Sequence, residues 1–151
     1  MLKNRDVNVS NSDQVEKISD SFKKQFGSGP DIIVRCPGRV NLIGDHTDYN
    51  GGLVLPIALP FETVIAAASS EDAQMKLISE EFGPAHFSLE DNPMGTSGWG
   101  RYIHAMGTLI SQSNPGLLCW NGYICYTIPI GANLSSSAAL EIAAGMVFKH
   151  L

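Results

Sequence analysis

The chain of 151 residues is short of cysteine, of clustered basic residues and of long apolar runs, and each shortage removes a class of function. Cys36, Cys119 and Cys125 are an odd set with no CxxC pair and no companion histidines. A disulfide framework or a thiolate metal site needs paired spacings, so three reduced and mostly buried thiols in a cytoplasmic protein are expected. No apolar stretch nears the roughly 20 residues that cross a bilayer. The opening run MLKNRDVNVSNSDQVEK has no apolar core of the kind a secretory signal needs. The formal charge is −5 and the ten Lys and Arg are scattered, which argues against a phosphate-backbone surface and so against nucleic acid. GxxxxGK[ST] does not occur, so there is no Walker A loop. Internal repeats and low-complexity segments are also missing.

What remains is the composition of an ordinary folded domain, 44% apolar and 17% charged. Residues 1–12 read as a loose polar segment and 13–151 as one domain. Ser12 is placed to cap a helix from Asp13 to Phe26, with Val15, Ile18, Phe22 and Phe26 at helical spacing. Gly27-Ser28-Gly29-Pro30 ends it. Strand patterns follow at Ile32–Cys36, Leu53–Leu59, Thr63–Ser69, Met75–Ser79 and His86–Leu89. Trp99–Ser111 reads as an amphipathic helix, Gly122–Ile128 as a strand, and Ser135 onward as a final helix. Short strands in quick succession with few helices predict an α+β domain with a largely antiparallel or mixed sheet. The last helix is still apolar at Leu151 and has no stop signal, the pattern of a helix that wants more protein to pack against.

Two segments carry chemistry. The first is Pro129-Ile130-Gly131-Ala132-Asn133-Leu134-Ser135-Ser136-Ser137-Ala138-Ala139-Leu140. A strand feeds a small-residue loop, which feeds a helix whose first turn is serine. Free N–H groups and the positive end of the macrodipole make such a turn an anion site, and hydroxyls can donate to phosphate or ligate Mg²⁺. A plain helix cap of serines and alanines fits the same residues.

The second segment, Cys36 through Gly52, packs Arg39, Asp45, His46 and Asp48 between glycine hinges. Carboxylates and imidazoles with fixed geometry read sugar hydroxyls, and a guanidinium stabilises charge on a transferring phosphoryl group. Metal ligation by Asp45, His46 and Asp48 is a rival reading. A polar turn between strands, with these side chains bonding local backbone donors, is the structural alternative.

Taken together the two segments resemble the galactokinases of the GHMP kinase superfamily. GRVNLIGDHTDYN, Gly38 to Asn50, is similar to the galactokinase signature GRVNLIGEHTDYN, and Pro129–Leu140 is similar to the GHMP motif PxGxGLSSSAAL. The resemblance implies a GHMP N-terminal domain, like the second domain of ribosomal protein S5. It also implies ATP-dependent phosphorylation of the anomeric hydroxyl of D-galactose. Residue by residue it gives Asp45, His46, Thr47 and Asp48 to galactose and Arg39 to the transition state. Gly131, Ala132, Asn133, Leu134, Ser135, Ser136 and Ser137 fall to the nucleotide phosphates, with Ser137 on Mg²⁺. Trp99 and Tyr102 have the WxxY spacing of aromatics near the adenine pocket. The same resemblance implies that the catalytic aspartate, a Mg²⁺-binding glutamate and a second domain follow this segment. The chain by itself is therefore expected to lack turnover.

Asp45 stands where the family has Glu, one methylene shorter, and Asn133 stands where the loop has its last glycine. An N-acetylgalactosamine kinase is a close variant, although Thr47 and Tyr49 favour plain galactose. A non-catalytic galactose and ATP sensor is the alternative of another class, against which the intact Ser135-Ser136-Ser137-Ala138-Ala139 run speaks. A remnant that does nothing is the third.

Overall fold

The computed structural model describes residues 11–129 and 134–151. A helix α1, Asn11–Phe26, precedes two long strands, β1 Ile32–Ile43 and β2 Leu55–Ser69, and two short ones, β3 Met75–Ser79 and β4 Gly83–Phe87. Helix α2, Gly100–Ser113, strand β5, Trp120–Tyr126, and helix α3, Ser136–His150, complete it. The strands form one mixed sheet in the order β1-β2-β5-β3-β4, parallel only between β3 and β5. This is the expected α+β architecture. The segment 1–12 read as loose falls mainly on residues outside those described, and α1 begins at Asn11 rather than Asp13.

The middle of the sheet is dry on both faces. In β2 the run Thr63–Ala67 is fully buried, and successive side chains point to opposite sides. Val64 and Ala66 pack against Ile18 and Phe22 of α1, while Ile65 and Ala67 join the larger core under α2 and α3. Strand β2 is therefore a near-continuous apolar string, as a strand buried between two layers must be. Burying Ile18 and Phe22 stabilises the α1 layer by about 1.5–3 kcal/mol each.

The two long strands outrun the sheet. Strand β5 pairs β2 only over Thr63–Ser69, whereas β1 follows β2 down to Leu55. Residues 39–43 and 55–58 thus form a two-stranded ribbon beyond the sheet. The turn residues predict two strands, Leu53–Leu59 and Thr63–Ser69, in place of β2, and an end of β1 at Cys36. In the structure both strands run through these points, and for one reason. Strand β1 is an edge strand, where Pro37 removes no needed ladder bond, and Pro60 lies in a register irregularity beyond the reach of β5. Arg39 consequently sits on a strand and not in a loop. His86–Leu89 and Gly122–Ile128 are also shifted, to Gly83–Phe87 and Trp120–Tyr126.

All three cysteines are free. Burial pushes the Cys125 thiol from 9.0 up to about 11, with nearby Glu80 adding to the shift. Burial likewise raises Cys36, Cys119 and the Tyr126 hydroxyl. None has the lowered pKa of a nucleophilic thiol.

Two outcomes follow from this packing. A methyl group at Gly122 would run into the Trp120 ring and Leu77, so Gly122→Ala should lower stability by about 1–3 kcal/mol in urea unfolding. The folded chain holds its Cys125 proton to higher pH than the unfolded chain. Stability should therefore be intact below pH 9, the ordinary thiol value, and fall as pH rises towards about 11. Cys125→Ala should flatten that fall in melts recorded across the same window. An unchanged slope would contradict it.

Candidate functional site

The ribbon carries the polar cluster at its tip. Gly44 at φ 91° and Gly51 at φ 71° turn the chain through a 3₁₀ turn, Asp48–Asn50, into β2. At Gly44 a side chain would strike the Leu53 carbonyl and the Thr47 hydroxyl, so the loop closes only over glycine. The Thr47 hydroxyl lies 3.1 Å from the Gly44 carbonyl and 3.0 Å from the Leu53 carbonyl. Its single proton is spent pinning the loop's two ends together. Asn50 Nδ2 donates to the His46 carbonyl at 2.8 Å, a second internal brace.

The charged groups face outward from this braced loop. Asp45 and His46 are exposed, and His46 Nδ1 lies 2.9 Å from the Tyr49 hydroxyl, which leaves Nε2 for other partners. Arg39 Nη2 stands 3.5 Å from Asp48 Oδ2, with both side chains roughly half exposed. Such a solvated pair contributes about 0–1 kcal/mol and is readily exchanged for another anion. Asn41 Nδ2 donates to the same oxygen at 2.8 Å. Among the described residues no group of three His, Cys, Asp or Glu converges as a metal site.

The serine segment meets this strand directly. Thr127 N–H donates to the Glu62 carbonyl at 2.9 Å, and Glu62 N–H donates to Thr127 Oγ1 at 2.7 Å, fixing the chain beside β2. It returns beside β1, where Arg39 N–H donates to the Leu134 carbonyl at 3.3 Å. A Cβ on Gly38 would stand 2.8 Å from that carbonyl and 3.3 Å from Ile128 Cδ1. Glycine is thus what permits the approach. Ser135 then takes a left-handed conformation, φ 58° and ψ 39°, rare for a residue with a side chain, and α3 starts at Ser136. The Ser135 side chain makes no capping bond to the helix, and Ser136 and Ser137 are exposed. Free N–H groups at a helix start, with hydroxyls beside them, can bind an anion. Gly131, Ala132 and Asn133 lie outside the described residues.

Trp99 is half-buried at the start of α2 and packs against the core, while Tyr102 is exposed. Trp99 also borders a depression of about 320 Å³ with Phe82, His86 and Thr96. Asn41 is the residue that motif reading passed over. Its contact with Asp48, seven residues on, is made by the turn and is invisible in periodicity.

Residues 20–69 match the galactokinase galactose-binding signature. Across 91% of the chain the fold superposes on Lactococcus lactis galactokinase, solved with galactose, at TM-score 0.76 and 32% identity. Mevalonate kinase from Methanococcus jannaschii is similar in fold over 80% of the chain, at TM-score 0.64 and 22% identity. A second mevalonate kinase matches 75% of it at TM-score 0.62 and 22% identity. The chain spans 37%, 41% and 38% of the lengths of these three. The signature on the ribbon and the fold that carries it agree: this chain belongs to the galactokinase family, within the GHMP kinase fold.

Proposed function

We propose that the chain supplies the galactose- and phosphate-binding part of an enzyme that moves the ATP γ-phosphoryl group to the anomeric hydroxyl of D-galactose. The products are galactose 1-phosphate and ADP. The observation that carries this reading is the junction of Gly38 and Arg39 with Leu134, where a sugar-type polar loop and an uncommitted serine turn share one strand.

Asp45, His46 and Asp48 are the groups that would meet sugar hydroxyls, while Thr47 shapes the loop that presents them. Asp45, shorter than glutamate, reaches a hydroxyl directly or through one water, a difference of about 0.5–1.5 kcal/mol in binding. Arg39 is held by a weak surface pair and can turn its guanidinium to the transferring phosphoryl group, spreading the charge that develops there. Leu134 through Ser137, with Gly131, Ala132 and Asn133 before them, would cradle the nucleotide phosphates.

Mg²⁺ takes hard oxygen ligands and keeps waters and phosphate oxygens around it. The exposed Ser137 hydroxyl fits as one such ligand, and the ion would offset phosphate charge during transfer. Trp99 and Tyr102 are assigned to the adenine side, a role for which the exposed Tyr102 and the depression beside Trp99 leave room. A cytoplasmic location is part of the proposal, supported by three free thiols. Among the described residues no helix is long and apolar enough to cross a membrane.

The test joins the chain to the part of the Lactococcus galactokinase that it does not span and follows ADP release with Mg-ATP. D-Galactose should support turnover, and mevalonate should not. Activity with mevalonate and none with galactose would overturn the substrate. In the same fusion Arg39→Ala should lower kcat by about a hundredfold or more with an unchanged melting temperature. An unaltered kcat would remove Arg39 from the chemistry.

A further inference from the structure

Two neighbours hold Asp48, and they differ in kind. Arg39 and Asn41 stand two residues apart on β1, before the irregularity at Leu42, and so share one face of the strand. Both reach Oδ2 of Asp48, Arg39 from 3.5 Å and Asn41 from 2.8 Å. Among the described residues Oδ1 has no partner. The Asn41 carboxamide has one usable orientation. Its Oδ1 is enclosed and unpaired, and turning the group over would set that oxygen against the Asp48 carboxylate.

We propose that Asn41 is a positioning residue, a neutral donor that fixes the Asp48 carboxylate with Oδ1 turned out for a sugar hydroxyl. The proposal deepens the galactose reading of this loop and rests on it. Its physical point is a division of labour. A guanidinium drawn towards a phosphoryl group lets go of Asp48, whereas the Asn41 amide carries no charge and stays where it is. The sugar carboxylate is then held in place at the moment when Arg39 is needed elsewhere. An aspartate in the Asn41 position would offer only acceptors and repel Asp48, and a leucine would fill the space without donating.

The 151-residue chain itself provides the test, through two readouts. Three-bond couplings report the Asp48 χ1 rotamer without any ligand, and titration with D-galactose reports affinity. A single rotamer is expected in the wild type and in Arg39→Ala, and an averaged one in Asn41→Leu and Asn41→Asp. The dissociation constant for galactose should rise about tenfold in both Asn41 variants and be partly restored in Asn41→Gln. Dispersed amide spectra certify folding, and the isosteric Asn41→Asp serves where the leucine variant does not fold. A single Asp48 rotamer in the Asn41 variants would overturn the proposal, as would affinity within twofold of wild type. Absence of galactose binding to the wild type would strike the sugar reading instead. The rotamer measurement would still decide whether Asn41 holds Asp48.

Discussion

The backbone of Gly38 and Arg39 lies against the carbonyl of Leu134, and the placement of everything functional depends on that approach. It requires glycine, since a methyl group at position 38 would stand 2.8 Å from the carbonyl oxygen. It also accounts for Ser135. A chain that must aim the Leu134 carbonyl at β1 and begin a helix at Ser136 has to reverse sharply, and Ser135 does so in a left-handed conformation. The local strain is held by burial on either side. Ile128 enters the core before the turn, and Ala139, Leu140, Ala143 and Ala144 enter it after.

The same constraint explains why the site stands on a ribbon. The sheet proper is sealed by α1 on one face and by α2 and α3 on the other, which leaves no room there for solvated carboxylates. By letting β1 and β2 outrun β5, the fold carries the polar loop away from the core while keeping it on rigid paired strands. Rigid strands position side chains better than a free loop does. The cost is exposed apolar surface along the ribbon, with Leu53 at 94% exposure and Ile43 at 68%. The loop is then closed by its own bonds, Thr47 to Gly44 and Leu53, Asn50 to His46.

Much of this was legible in the residues. The helix at Phe26, strand Met75–Ser79 and the fold class came from periodicity and turn signals that agree with the tertiary structure. The polar cluster and the serine run were found through residue types that have few uses together. The errors share a cause. Pro37, Gly38 and Pro60 were read as breaks, because their compatibility with a strand depends on which strand lies at the edge, a long-range fact. That the Thr47 hydroxyl bonds the Gly44 and Leu53 carbonyls is loop geometry that residue types alone do not show. Asn41 was passed over because the turn that brings Asp48 back to β1 has no period.

One junction holds the polar loop's strand and the serine turn together. Titrating the ¹⁵N-labelled chain with Mg-ATP tests it most directly. The Arg39 amide and the amides of Ser135, Ser136 and Ser137 should shift together along one binding curve. Shifts in the serine amides with Arg39 unmoved would contradict it.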